Sequence, residues 1–192
     1  ALATIAIEDR RFRAHWGFDP LAVIRATAQN LRQRRVVSGA STITMQVVKM
    51  KRGPARSVWA KAWQALEALR LDMRVDKDAI LEAYLNAAPY GMNLVGCEAA
   101  ARRYFGVPAK ELTLPEAALL AGLPKAPYRY MPLRNPERAR GRRNSVLRQM
   151  QHQGYISSEV CARACATPLG AAWREYPMAA PHVAMRLVEK DK

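Results

Sequence analysis

Helix starts and stops punctuate the chain along nearly its whole length, while the alternation expected of a half-buried strand is almost absent. Asp19-Pro20 sets an N-cap acceptor ahead of a proline at the first helical position and opens a helix from Leu21 to near Arg34. Ser38-Gly39 interrupts, Ser41 or Thr42 caps a second short helix ending near Met50, and Gly53-Pro54 stops any continuation. Ser57 caps a third, Val58 to near Arg74, in which Trp59, Trp63, Leu66, Leu69 and Met73 recur at helical spacing and predict a core-facing stripe. Asp76 starts a fourth, with Ile80, Leu81, Tyr84 and Leu85 inward, ended by Pro89 and Gly91. A fifth is expected over Leu94 to Phe105, closed by Gly106. Thr113-Leu-Pro-Glu116 is a capping box opening an Ala/Leu-rich helix that ends at Gly122. Prolines at 124, 127, 132 and 136 predict an extended loop, after which Asn135-Pro136 caps a basic helix to near Gln153 and Ser157 or Ser158 a last short one. The expected class is all-α: one domain over residues 1–166, then a Pro-containing linker over 167–192, with 35–57 and 123–135 the candidate mobile loops.

Half of the 192 residues are apolar, so a chain of this size can bury roughly 70% of its extended surface without a metal or disulfide staple. Cys97, Cys161 and Cys165 are too few and too scattered for either and read as small fillers. No apolar run reaches the roughly 18 residues that a membrane span needs. Beginning at Ala1 and ending without an obvious stop, the chain reads as a piece of something longer. Charge is more telling: 31 Lys and Arg against 16 Asp and Glu give a net +15, and residues 1–60 hold 11 of the bases but only 3 of the acids. Such an excess points to a polyanionic partner, whether nucleic acid, anionic lipid headgroups or a diphosphate, without choosing among them.

Five clusters carry possible chemistry. Glu8-Asp9-Arg10-Arg11-Phe12, with His15, Gly17 and Asp19, follows the apolar run Leu2 to Ile7, so the Glu8 carboxylate sits where a helix leaves the core. Partial desolvation at such a place raises a carboxyl toward the range of a useful general base; the plainer reading is a helix-end ion pair with a nearby arginine. Gly39-Ala40-Ser41-Thr42-Ile43-Thr44-Met45-Gln46, followed by Lys49, Lys51 and Arg52, puts free amides and hydroxyls at the positive end of a helix, as anions or sugar oxygens require, or merely supplies its cap. Arg56 precedes a helix on which Lys61 and Gln64 share a face. The remaining two run from Lys77-Asp78 through Glu82 and Tyr84 to Asn86, and from Arg142-Arg143 to Leu147.

In this order and spacing the five clusters resemble the motifs of the peptidoglycan glycosyltransferases, glycosyltransferase family 51, the polymerase domain of class A penicillin-binding proteins. The resemblance runs from Glu8 to Met150 and takes in Tyr104-Phe105-Gly106 and Leu112 to Pro127. It implies a lysozyme-like helical fold with a head lobe, a smaller jaw lobe lying on the membrane, and a cleft between them. The implied reaction joins lipid II into β-1,4 glycan strands with inversion and release of undecaprenyl diphosphate. By resemblance Glu8 is the base that takes the acceptor hydroxyl's proton. Asp9, Arg11, Phe12, His15 and Gly17 would shape its surroundings; Ser41, Thr42 and Gln46 would line the cleft; Lys49, Arg56 and Lys61 would hold the donor diphosphate; Glu82, Asn86, Arg142 and Arg143 complete the implied substrate-binding set. The implied partners are lipid II, the growing lipid-linked glycan, the membrane surface and moenomycin-type inhibitors, with no nucleic acid. The implied place is the outer face of the bacterial inner membrane, with a membrane helix before Ala1 and a transpeptidase domain beyond the tail.

Three positions depart from the family pattern. Gln64 stands where the third motif usually has a glutamate, Met45 where the second usually has glutamine, and Ala60 where an arginine often precedes the lysine. This combination resembles the one-C subtype. Glutamine cannot exchange a proton at neutral pH and is a poor magnesium ligand. The expectation is therefore an active enzyme whose leaving diphosphate is stabilised by fixed cations, with no cofactor required, though a divalent ion at the diphosphate stays open. Glu67, one turn after Gln64, is a possible substitute. Other readings are a nucleic-acid-binding helical protein, a lytic transglycosylase or muramidase, and a non-catalytic lipid II binding module.

Overall fold

A computed structural model describes residues 1–33, 41–54 and 57–175. Its helices are α1 (Leu2–Glu8), α2 (Pro20–Gln33), α3 (Ile43–Arg52), α4 (Val58–Asp72), α5 (Lys77–Ala87), α6 (Cys97–Phe105), α7 (Leu114–Gly122), α8 (Pro136–His152) and α9 (Ser158–Ala166), with short 3-10 turns at Phe12–Ala14 and Ala109–Glu111. The all-α expectation is borne out, and several caps work as read, whereas Asp76 and Asn135 start their helices without a side-chain cap bond. Thr42 Oγ1 accepts the Met45 amide at 3.1 Å, Ser57 Oγ the Ala60 amide at 3.1 Å, and Thr113 with Glu116 forms the capping box. The Ser38-Gly39 break, Arg56 and the end of the tail, 176–192, lie outside the described residues.

Two readings are corrected. The fifth helix begins at Cys97, because Pro89–Gly91 (β1) and Leu94–Val95 (β2) form an antiparallel pair instead. Pro89 cannot enter a helix interior, and Met92 and Asn93 turn the chain with positive φ. The α4 stripe faces out, not in: Trp59 is 85% exposed, Trp63 55% and Met73 66%. Gln64 and Ala68 are the buried side of α4 instead. Periodicity reports that a helix has an apolar face, not what covers it.

The core has a large centre around Phe12, Ile43, Tyr84, Tyr104, Leu119 and Leu123. A second cluster joins α1, α7, α8 and α9 through Ala3, Ala6, Ala118, Ala121, Val146, Leu147 and Met150. The small residues let α1 lie close to α7 and α8, which sets where its last residue, Glu8, emerges. Cys161 is buried and Cys97 and Cys165 half-buried, all with free thiols, as fillers should be. The tail expected to be a linker is, as far as 175, laid along α6. Ala172 N donates to Tyr104 O at 2.9 Å and Arg174 N to Arg103 O at 3.0 Å, while Trp173 packs edge-on against Tyr104 under the Arg103 guanidinium.

Candidate active site

Glu8, the last residue of α1, reaches into a cavity of about 440 Å³ shared by four other parts of the chain. From α3 come Gln46 and Lys49, with Ser41 just ahead; from α4, Lys61 and Gln64; from the loop after α7, Pro124 and Lys125; from α8, Arg142. Gln46 Nε2 donates to Glu8 Oε2 at 2.8 Å, and Arg142 Nη2 lies 3.7 Å from Glu8 Oε1. The arginine is itself fixed: its Nε donates to Gly122 O at 3.1 Å and its guanidinium stands 5.6 Å from the Tyr130 ring centre. A side chain on Gly122 would come within 2.9 Å of Arg142 Cγ, so glycine there makes room for this cation. One carboxylate thus faces Lys49, Lys61, Lys125 and Arg142 across one cavity.

Lys61 Nζ donates to Ser41 Oγ at 2.7 Å. Partial burial first, and then the neighbouring Lys49 charge, push its ammonium below the ordinary lysine range. Two like charges held together in this way gain from a bound anion, which would raise the proton affinity of Lys61 again.

Asp9, the next residue after Glu8, is buried and works behind the wall. His15 Nε2 donates to both its oxygens at 3.0 Å, and the Ile43 amide, first of α3, donates to Oδ2 at 3.0 Å. That pins the start of α3 to the end of α1, which is what lets Gln46 meet Glu8. Phe12 is fully buried beside them. Gly17 has φ +66°, and a Cβ on it would lie 2.3 Å from Ala68 O, so only glycine lets this turn press onto α4. Thr42 spends its hydroxyl on Gly17 O and on capping α3.

Arg11, Glu82, Asn86 and Arg143 stand apart from the cavity. Arg11 pairs with Asp19 at 3.2 Å and lines a different, more apolar groove with Trp16, Phe18, Leu21, Leu66 and Leu69. Glu82 and Asn86 are exposed on α5 and do not line the cavity. Arg143 is 1% exposed and donates to the carbonyls of Cys165, Thr167 and Pro168, so it clamps the chain after α9 rather than lining the cavity. Glu67 pairs with Arg52 at 2.6 Å and is no substitute for a carboxylate at 64. Arg56 lies outside the described residues.

Sequence reasoning missed Lys125, whose only signal is a lysine after Leu123-Pro124 in a loop leading to a basic helix. It placed Tyr84 on the inward side of its helix and within the fourth cluster, but gave it no role at the site. That phenol is buried without a hydrogen-bond partner among the described residues; burial, and next the Glu8 charge, push it above its usual range.

A divalent ion fits these donors poorly. Among the described residues Glu8 is the sole carboxylate lining the cavity, it is already engaged, and no three or more His, Cys, Asp or Glu gather as metal ligands do.

A family model described as Transglycosylase matches residues 1–151. Penicillin-binding protein 1A of Aquifex aeolicus is 46% identical over 168 residues, 87% of this chain and 23% of that protein. Penicillin-binding protein 1C of Escherichia coli is 41% identical over 190 residues, 99% of this chain and 25% of that protein. A crystal structure of Penicillin-Binding Protein 1A from Haemophilus influenzae superposes with a TM-score of 0.47 at 30% identity, covering 77% of this chain and 19% of that one. The chain spans about a quarter of the length of the curated relatives it matches.

Proposed function

Because this chain belongs to the transglycosylase family, we propose that it polymerises lipid II into β-1,4 glycan strands of peptidoglycan, releasing undecaprenyl diphosphate. The observation that carries the reading is the carboxylate of Glu8 facing Lys49, Lys61, Lys125 and Arg142 in one cavity. Glu8 takes the proton of the acceptor sugar's hydroxyl as that oxygen attacks the anomeric carbon of the donor. The bond from that carbon to the lipid diphosphate breaks on the opposite face, so configuration inverts, and the electron pair leaves on the diphosphate. Lys49 and Lys61 meet the charge that develops there, with Arg142 and Lys125 nearby. Gln46 and Arg142 hold the carboxylate in one orientation. A lytic enzyme would have little use for such a ring of cations, since its leaving group is a neutral sugar hydroxyl; a binding module would have no use for a positioned base.

The test is incubation with lipid II and a gel for glycan strands, with and without moenomycin, the phosphoglycolipid inhibitor expected to compete at this site. Strands that form and vanish with the inhibitor are the expected result; no strands under any lipid condition would refute the reading.

The same proposal places the chain on a membrane surface, at the outer face of the bacterial inner membrane. No helix among the described residues is long and apolar enough to cross a membrane. The support is the outward stripe of α4, where Trp59, Trp63 and Leu66 continue through the apolar groove to Trp16 and Leu21, 68% and 57% exposed. Tryptophan on such a face suits the headgroup level of a bilayer. Replacing Trp59 and Trp63 together with Gln is expected to weaken binding to phosphatidylglycerol vesicles by about tenfold or more, since each ring buries apolar area worth roughly 1–2 kcal/mol there. Co-sedimentation with vesicles reads this; unchanged partitioning would remove α4 from the contact.

A further inference from the structure

Among the described residues, Gln64 is the one cavity-lining side chain that is buried and leaves a polar atom without a partner. Its Nε2 donates to Gly53 O at 3.3 Å, which fixes the amide against the end of α3 and leaves Oε1 unsatisfied. A carboxylate at this position would carry a negative charge one turn from Lys61 on the same helix face. It would pair with that ammonium and draw it away from any anion. The neutral amide leaves Lys61 with Ser41 and with Lys49, its like-charged neighbour.

We infer that the diphosphate end of this cavity is a metal-free anion site, in which Lys49 and Lys61 bind the diphosphate directly because Gln64, which lines the same cavity, carries no charge. The inference rests on the diphosphate reading above. The next carboxylate along α4, Glu67, is held by Arg52, and Glu8 is engaged by Gln46 and Arg142. Among the described residues a divalent ion would therefore find no free carboxylate, only the neutral Gln64 Oε1 with phosphate oxygens and water, beside two ammonium groups that repel it. Gln64 here sets which chemistry neutralises the ligand: fixed cations rather than an imported one.

The experiment titrates inorganic pyrophosphate into the purified protein by calorimetry, first in EDTA and then with magnesium in excess. The parent is expected to bind one pyrophosphate in EDTA, with no gain from magnesium. Gln64→Glu is expected to lose about tenfold in affinity in EDTA and to recover it with magnesium, since the new carboxylate both cancels one cation and supplies a ligand. Lys61→Gln, at an exposed position, is expected to lose a similar factor that magnesium does not restore, and it keeps the test decisive if the first variant does not fold. Parent binding that disappears in EDTA, a Gln64→Glu protein as tight as the parent in EDTA, or a Lys61→Gln protein with undiminished affinity would each overturn the inference. Strand formation from lipid II is read separately. Strands that form only with a divalent ion overturn this inference and leave the polymerase reading intact, whereas metal-free pyrophosphate binding without strands upholds this inference and counts against the polymerase reading.

Discussion

Glu8→Gln is expected to lower glycan strand formation from lipid II by about 10³-fold or more, the upper part of the range for removing a general base, with the fold retained. The substitution keeps shape and volume, and the contacts it touches are few. Gln46 Nε2 donates to one Glu8 oxygen, which an amide oxygen can still accept, and Arg142 stands 3.7 Å from the other. What disappears is the capacity to take a proton from the acceptor hydroxyl. Because the change removes a negative charge from a cavity otherwise lined by cations among the described residues, pyrophosphate binding should persist, which separates a lost base from a lost binding site. Strand formation within tenfold of the parent, with an unchanged melting temperature, would show that another group accepts the proton.

The loss should not be repaired by the neighbouring acid. Asp9 follows Glu8 in sequence but is turned away from the cavity, receiving His15 and the first amide of α3. Sequence alone could not part these two adjacent acids, because the end of a helix can turn the next residue either way. The five-motif resemblance chose Glu8, and the geometry shows what Asp9 does instead. The same difficulty recurs at Arg142 and Arg143. Successive residues on a helix point about 100° apart, so one of an arginine pair can face the cavity while its neighbour clamps the chain after α9. Which one does so depends on where Gly122 opens space, a fact of packing between α7 and α8 that no local pattern records.

Caps and breakers, by contrast, act over three or four residues, and the sequence carried most of them: Thr42, Ser57, Thr113 and Ser157 cap as read, while Asp76 and Asn135 start their helices without a side-chain bond. The α4 stripe failed in an instructive way. Trp59, Trp63 and Leu66 have the spacing of a core face but are uncovered, which is the pattern of a helix whose apolar side meets something outside the chain. The buried line of α4 runs instead through Gln64 and Ala68, and one of those two is polar. A polar residue on the buried side of a helix is a poor core signal but a good site signal. Family membership adds what geometry could not decide, and it gives the lytic and the purely binding alternatives no support.

Asp72→Ala is expected to cost about 3–5 kcal/mol of stability, the range for removing one partner of a buried ion pair, and so to lower the melting temperature by roughly 10 °C for a domain of this size. Asp72 ends α4, and its side chain is 1% exposed. It accepts the Gly17 amide at 2.7 Å and the Thr44 hydroxyl at 3.2 Å, and pairs with Lys77 Nζ at 2.7 Å. Lys77 in turn donates to His15 O at 2.7 Å and stands 4.6 Å from the centre of the Phe12 ring. Alanine would leave the lysine, an amide and a hydroxyl without their acceptor at the place where the turn after α1 meets α3, α4 and α5. Asp72→Asn keeps an acceptor but not the charge, so its loss should fall between the parent and alanine. The effect should also reach the cavity without touching it: this knot holds Gly17 against α4, Gly17 O receives the Thr42 hydroxyl, and Thr42 caps the helix that presents Gln46 to Glu8. Thermal melts of the two variants, set beside their rates with lipid II well below the melting transition, separate the two consequences. A melting temperature within about 2 °C of the parent for Asp72→Ala would mean that water reaches this acceptor and that the loop after α1 is held by its apolar contacts alone.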